Sequence, residues 1–373
     1  MIRVVRRLLL GREGQRLVRG LRLFYRLRTE VVLQSEQVGR LAKRTAVRVW
    51  IDGTEAFARI ERLLRSARHT IIIQMFIWRD DATGQRIAAL LLEAADRGVR
   101  VSIAKEAVGD VFEFERDFLG TSMNPDGVWK RFWSHPNIDV THAKHNDHAK
   151  VYIIDDHTLL LSGMNITDAC RYEWHDYLVE LRGSGFVRQY LTGEVPVAGN
   201  GQVQLVMNGG TAHGIRSALM RFLEGASSTI VVEHAYLSDQ RVIDLLVCKS
   251  REGVRVTVVL PEHPNLHANA NLLSVARLLS EGARGFLHVV LYPRMVHGKL
   301  ILVDRTRAFL GSANLITSSI DEMGEVNVLI DSPFSRAIAT IRDTLREDIQ
   351  ASRPLTMAPS LWWLGRMLAK MGM

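Results

Sequence analysis

The chain has 373 residues, 47% of them hydrophobic and 24% charged, with a formal net charge of +8 and two cysteines, Cys170 and Cys248. That length leaves room for two ordinary domains or one large pseudo-symmetric one, each with a real core. Two cysteines exclude a disulfide framework and a cysteine-based zinc pattern, and favour a reducing compartment. No uncharged apolar run reaches the roughly 18 to 20 residues of a spanning helix, and the surplus of cations calls for an anionic partner.

Residues 1–46 form a basic segment, with nine arginines but only Glu13 and Glu30 as acids in the first thirty positions. On a helical wheel Arg19, Arg22 and Arg26 share one side and Leu17, Leu21 and Phe24 the other. This pattern suits either a packed helix with a solvated face or a helix lying in an anionic membrane surface. A transit peptide fits less well, because the first thirty residues contain no serine.

From residue 47 the chain says everything twice. ARHTIIIQMF (67–76) is answered by ASSTIVVEHA (226–235), and DRGVRVSIAKE (96–106) by REGVRVTVVLPE (251–262). Helices alternating with short β-branched strands predict an α/β fold of two pseudo-symmetric α/β/α lobes, residues 47–195 and 196–350, with the active site at their interface. GEVPVAGNGQ (193–202) is the expected joint, short enough to keep the lobes packed together. The offset between copies falls from 229 − 70 = 159 to 297 − 148 = 149, which places about ten extra first-copy residues in the DFLGTSMNPDGVWKRF region. Residues 351–373 form an amphipathic tail whose Trp362 and Trp363 suit packing on the body or a lipid interface.

The chemistry sits in the repeated strand HAKVYIID (148–155), which returns as HGKLILVD (297–304). Alternation along a strand points His148 and Lys150 the same way, and likewise His297 and Lys299. Asp155 and Asp304 follow the histidines by an odd number, seven, so they point away and are assigned to fixing the next turn. Asn165 and Asn314 follow by 17, Asp176 and Glu325 by 28, so the pattern H-x-K-x4-D-x9-N-x10-[DE] occurs twice with identical spacing. A phosphodiester would use every group. Lysine and asparagine donate to phosphate oxygens, one histidine attacks phosphorus and the other protonates the leaving oxygen, and each carboxylate holds an imidazole's second nitrogen. The lysines already neutralise charge, so neither metal nor cofactor is expected. Symmetry leaves either histidine free to be the nucleophile.

His142, His145 and His148 recur every third residue, but His145 and His148 would lie on opposite strand faces, which favours a basic rim of His142, Lys144 and His145 over a metal site. His175 is read as a neighbour of the site or a packed histidine. At least one of Asp80 and Asp81 is expected to cap a helix. Glu233 and His234 are candidates for contacting the polar part of a substrate.

At these residues the chain resembles the phospholipase D superfamily, and within it the bacterial cardiolipin synthases. QMFIWRDDATGQRIAALLLEAADRGVRV, SGMNITDACRYEWHDYLVELRG and GSANLITSSIDEMGEVNVLI carry the likeness, which spans about residues 47–332. Ser162-Gly163 stands where Gly-Gly or Gly-Ser is usual, and Thr317-Ser318-Ser319 replaces an Asp-x-Arg-Ser run. The resemblance implies a phosphohistidine intermediate, with His148 as nucleophile and His297 as acid and then base. It also implies transfer of a phosphatidyl group from phosphatidylglycerol to a second lipid, giving cardiolipin. The expected partners are anionic phospholipid and a membrane surface, not nucleic acid, with peripheral or monotopic attachment at the cytoplasmic face of a bacterial inner membrane. A phosphodiesterase acting on phospholipid or nucleic acid, and a non-catalytic basic scaffold, are the competing readings.

Overall fold

The computed structural model describes residues 47–106, 128–143, 147–193, 202–209, 212–332 and 335–357. The basic N-terminal segment, residues 358–373 with Trp362 and Trp363, most of the expected joint between the lobes, and Lys144 and His145 of the expected rim lie outside them; the start of the expected C-terminal tail, residues 353–355, is instead a strand of the second sheet.

The first lobe runs β1 (Val47–Ile51), α1 (Asp52–Ser66), β2 (Thr70–Met75), α2 (Ala82–Asp96), β3 (Arg100–Glu106), α3 (Val128–Ser134), β4 (Ile138–Ala143), β5 (Lys150–Ile154), β6 (Thr158–Ser162), β7 (Tyr177–Arg182) and α4 (Ser184–Thr192). The second runs β8 (Val203–Gly209), β9 (Ala212–His213), α5 (Ile215–Glu224), β10 (Thr229–His234), α6 (Gln240–Arg251), β11 (Arg255–Pro261), α7 (Ala268–Glu281), β12 (Leu287–Tyr292), β13 (Lys299–Val303), β14 (Arg307–Gly311), α8 (Thr317–Asp321), β15 (Glu325–Asp331), α9 (Arg336–Ala351) and β16 (Arg353–Leu355).

The two sheets share one strand order. β7-β6-β5-β2-β3-β4 in the first corresponds to β15-β14-β13-β10-β11-β12 in the second; β1 flanks β7 as β8 flanks β15, and β9 and β16 extend the second sheet's edges. Each sheet is mixed: β2, β3 and β4 pair in parallel, whereas β5 runs antiparallel to β2, and β6 and β7 continue antiparallel. The α/β expectation holds.

Alternation along the strands explains the layering. On β5, Tyr152 and Ile154 face a core closed by Phe57, Ile60 and Leu64 of α1 and Leu90 and Leu91 of α2. These helical positions recur at the spacing that puts them on one stripe. Val151 and Ile153 face the other way. There they meet Leu300, Leu302 and Leu310 of the second lobe, so the two sheets bury their inner faces against each other, together with Ile338 and Ile341 of α9. A continuous apolar core across the joint keeps the lobes in fixed register, unlike a polar contact between mobile domains.

The helices that cover the outer faces start where the sequence supplies caps. Asp81 accepts from Gly84 N at 2.9 Å at the head of α2, and Asp239 from Val242 N at 3.0 Å at the head of α6. Asp239 is therefore the second-lobe counterpart of the WRDD cap. Glu233 and His234 end β10, five residues and more ahead of this cap.

Candidate active site

Both His/Lys strands begin where the sheets meet, at the carboxyl ends of β2 and β10. β5 and β13 run antiparallel to those strands, so their first residues, Lys150 and Lys299, lie at the same edge. His148 and His297 precede them by two residues on the same side.

The lobes are stitched here by two matching bridges, Asp147 with Gly324 and His175 with Val296. The offset of the repeat relates them, since 147 + 149 = 296 and 175 + 149 = 324, which is the signature of a pseudo-two-fold axis. Within them His148 N donates to Gly324 O at 2.8 Å, and His297 N donates to His175 O at 2.7 Å. Each histidine is thus set beside the other lobe's carboxylate. His148 Nδ1 lies 2.9 Å from Glu325 Oε1, and His297 Nδ1 lies 2.9 Å from Asp176 Oδ2.

Burial, aided by the neighbouring lysine, pushes both imidazoles below their usual range, His297 to about 4. A neutral ring carries one N–H, and an acceptor at Nδ1 fixes it there. Nε2 is then left with a lone pair. Burial alone would raise the Glu325 carboxyl, but His148, Lys150 and the Ser312 hydroxyl outweigh it and bring it down to about 2.

The lysines are wholly enclosed, Lys150 at 0% and Lys299 at 1% exposure. Lys150 Nζ donates to His148 O at 2.5 Å and stands 4.9 Å over the Phe76 ring. Lys299 Nζ donates to His297 O and lies 3.1 Å from His297 Nδ1. Burial draws Lys150 down to about 7 and lowers Lys299 as well.

The asparagines lie in the loops after β6 and β14, both nearly buried. Asn165 Oδ1 accepts from Ile77 N at 3.1 Å. Asn314 Oδ1 has no hydrogen-bond partner, although its backbone N donates to Ser319 Oγ at 2.9 Å.

At the far ends of β5 and β13, Asp155 and Asp304 take left-handed backbone angles, φ 51° each. Asp155 accepts from the N–H groups of Arg68, His69 and Thr70, the closest at 2.7 Å. Asp304 does the same for Ser227, Ser228 and Thr229. Neither reaches the histidines.

Glu233 and His234 separate. His234 is buried opposite Lys299 in the β10–β13 ladder. Glu233 points into the joint between the lobes, where Tyr177 donates to it, so as a substrate contact it is misassigned. His175 turns the same way, its Nδ1 2.6 Å from Asp52 Oδ1. His142 is exposed on the edge strand β4.

Several site residues had no motif to announce them. Ser312 donates to Glu325 Oε2, and Ser319 to Glu325 Oε1 at 2.5 Å. Asp147, beside Glu325, is pushed up to about 7 by burial and by that carboxylate's charge. Phe76 packs on the His148 ring at 4.7 Å and Trp174 on the His297 ring at 4.9 Å, both aromatics from the first lobe. Ser312 is the second-lobe counterpart of Gly163, since 163 + 149 = 312. A side chain at Gly163 would meet Asp176 Oδ2 at 2.7 Å and Lys299 Nζ at 2.8 Å.

The duplication also appears in comparison with known proteins. A family model described as cardiolipin synthase, PLD-like domain, matches residues 60–192 and again 219–349. The chain belongs to this family. Cardiolipin synthase of Halalkalibacterium halodurans is 27% identical over 77% of the chain, which spans 63% of that relative's length. Cardiolipin synthase B of Escherichia coli K12 is 26% identical over 84% of the chain and 83% of the relative. Among solved structures, phosphatidylserine synthase of Haemophilus influenzae Rd KW20 superposes with a TM-score of 0.65 at 15% identity, covering 87% of this chain and 91% of that one. Polyphosphate kinase of Porphyromonas gingivalis gives 0.52 at 14% identity, covering 86% and 52%. These likenesses show the fold of the family; the resemblance read from the duplicated motif holds.

Proposed function

We propose that the chain is a phosphatidyltransferase of the cardiolipin synthase type, working through a covalent phosphohistidine. The observation that carries this reading is the pair of crossed contacts, His148–Glu325 and His297–Asp176, each with a buried lysine at its side. His148 Nε2 attacks the phosphorus of an anionic glycerophospholipid, and the bond from phosphorus to the headgroup oxygen breaks. His297 gives that oxygen a proton. An incoming lipid hydroxyl then loses its proton to His297 and attacks phosphorus, and the phosphorus–nitrogen bond breaks. Bringing a phosphodiester anion beside both rings raises their proton affinity, so His297 can hold the proton it must deliver. Lys150 and Lys299, with the amides of Asn165 and Asn314, stabilise the charge that builds on the phosphoryl oxygens.

Asp155 and Asp304 fall outside this chemistry and act as structural brackets. The substrate assignment takes its support from the names of the relatives and from the +8 charge. Attachment to the cytoplasmic face of a bacterial inner membrane is proposed through the basic first 46 residues and the tryptophan-bearing tail, which lie outside the described residues. Among the described residues no helix is long and apolar enough to cross a membrane.

The test is incubation of the purified chain with labelled phosphatidylglycerol in micelles, with mass spectrometry of the products and acid-labile phosphoenzyme trapping. Cardiolipin together with an adduct on His148 is the expected result. Phosphatidic acid alone would make the chain a hydrolase, and an adduct on His297 would reverse the two roles.

A further inference from the structure

A second polar cluster, unused by the chemistry above, is sealed in the joint between the lobes. His175 at the start of β7, Glu233 on β10 and Asp348 on α9 bring their donor atoms within 4.8 Å of one another, and all three are buried. His175 Nε2 lies 3.4 Å from Glu233 Oε1 and 3.4 Å from Asp348 Oδ2.

Asp52 Oδ1, 2.6 Å from His175 Nδ1, takes that N–H, and Nε2 faces Glu233 and Asp348. Tyr177, 3.1 Å from Nε2, spends its hydroxyl proton on Glu233 Oε1. Glu233 Oε2 and Asp348 Oδ2 are buried with no hydrogen-bond partner at all. Two carboxylates and an imidazole nitrogen therefore converge from three elements, and Glu233 is 0% and Asp348 5% exposed. Two buried carboxylates facing an imidazole demand positive charge. A proton on Nε2 would reach the Tyr177 hydroxyl oxygen at 3.1 Å and leave both carboxylates, at 3.4 Å, beyond the roughly 2.7–3.2 Å of an N–H···O bond.

A metal cation meets all of them. In tetrahedral coordination with bonds of about 2.0–2.2 Å, neighbouring donor atoms stand about 3.4 Å apart, the separation seen from Nε2 to both carboxylates. One divalent ion also balances the two negative charges of Glu233 and Asp348. The carboxylate behind His175 is the usual support of a metal-bound imidazole, fixing its tautomer and raising its basicity. Tyr177 donates to Glu233 and orients its carboxylate. We infer that His175, Glu233 and Asp348 form a structural site for a divalent transition-metal ion, with zinc the best match to one nitrogen and two oxygen donors. The ion would tie α9 and β10 of the second lobe to β7 of the first. It would sit one residue from Asp176, on the segment whose carbonyl receives His297 N at 2.7 Å. The inference is independent of the transferase reading.

The experiment uses the full chain, stripped with chelator, and a His148→Ala/His297→Ala background that removes the other clustered imidazoles. After addition of Zn²⁺ and gel filtration, both proteins should retain about one equivalent of zinc per chain, with a raised melting temperature. Glu233→Gln and Asp348→Asn should each weaken binding at least tenfold. Should either variant fail to fold, the wild-type chain decides: Co²⁺ loading should give four-coordinate visible absorption, and X-ray absorption should count one imidazole among its ligands. Retention of no zinc, with a melting temperature indifferent to zinc and chelator, would mean that a proton fills the cluster, and the inference fails. It fails equally if zinc is retained undiminished by both substitutions, or if cobalt shows no imidazole ligand.

Discussion

His148 of the first lobe faces Glu325 of the second across 2.9 Å, and the same contact in reverse joins His297 to Asp176. Neither copy of the motif therefore contains a complete site. Each lobe supplies a histidine that only the other can orient, which explains why the apolar joint has to hold the sheets in one register. The geometry supports reading the carboxylates as fixing the tautomer of each ring.

The crossed pairs make a prediction that same-lobe pairing would not. Glu325→Gln and Asp176→Asn should each lower kcat by about 10²–10⁴, the range expected when an imidazole loses its orienting carboxylate. Stability cycles locate the partner. His148→Ala with Glu325→Gln should show a coupling of about 0.5–3 kcal/mol, measured by denaturant titration, and one clearly larger than His148→Ala with Asp176→Asn. Equal couplings would mean that the pairing is not crossed in solution.

Gly163 tests how tightly the Asp176 pair is built. A methyl group there would fall 2.7 Å from Asp176 Oδ2 and 2.8 Å from Lys299 Nζ, both far below ordinary contact. Gly163→Ala should cost activity at least about tenfold through a small shift of Asp176, since misplacement on the scale of 1 Å is worth up to about 10². Ser312→Gly, the reciprocal change, should weaken the hold on Glu325, because Ser312 is one of its hydrogen-bond donors. Full activity in Gly163→Ala would show that Asp176 has slack.

Much of this was legible in the sequence. Two copies of one spacing carried the duplicated lobes, the His/Lys strands and the six histidine, lysine and carboxylate side chains that meet at the joint, because a motif of fixed length on a strand has few ways to fold. The crossing of the pairs was not legible: both carboxylates sit 28 residues after a histidine in their own copy, and spacing cannot say which copy they face. Glu233 was misplaced for a related reason. Adjacent residues on a strand point to opposite faces, so Glu233 and His234 could not both serve one side, and parity alone did not tell which face was the joint. Ser312 and Trp174 escaped because the repeat carries glycine in place of the first, and methionine, Met323, in place of the second.

Asp155 and Asp304 should behave as structural brackets. Burial by itself raises both carboxyls, but the backbone N–H donors around them outweigh it and hold both below the usual range. An asparagine keeps one acceptor and turns an N–H₂ toward those donors, so each Asn substitution should cost about 1–3 kcal/mol, read by thermal or denaturant unfolding, while the folded fraction keeps its activity. A depressed carboxyl contributes stability that is present above its unfolded value and lost as pH falls through the folded one. The gap between wild type and either variant should accordingly close below about pH 4. Loss of activity as deep as in His148→Ala, at unchanged stability, would put these aspartates in the chemistry.

The last prediction concerns pH and Lys150. Burial drives this ammonium down, Glu325 pulls it partly back and Lys299 pushes it further, with about 7 as the outcome against an ordinary value of 10.5. In the free enzyme the proton leaves as pH rises through about 7, so kcat/KM toward an anionic lipid should fall by about tenfold per unit above it. A bound phosphodiester stabilises the charged form, and kcat should hold to higher pH. Stability runs the other way. Between about 7 and 10.5 the unfolded chain binds the proton that the folded chain has released, and this makes stability rise with pH across that window. Lys150→Met lacks the term, so wild type should gain on it in melting temperature from pH 7 to 10 while its own kcat/KM declines. Opposite slopes separate titration from unfolding. A kcat/KM flat to pH 9, or a wild type that loses ground to Lys150→Met over the same range, would show that Lys150 keeps its proton throughout.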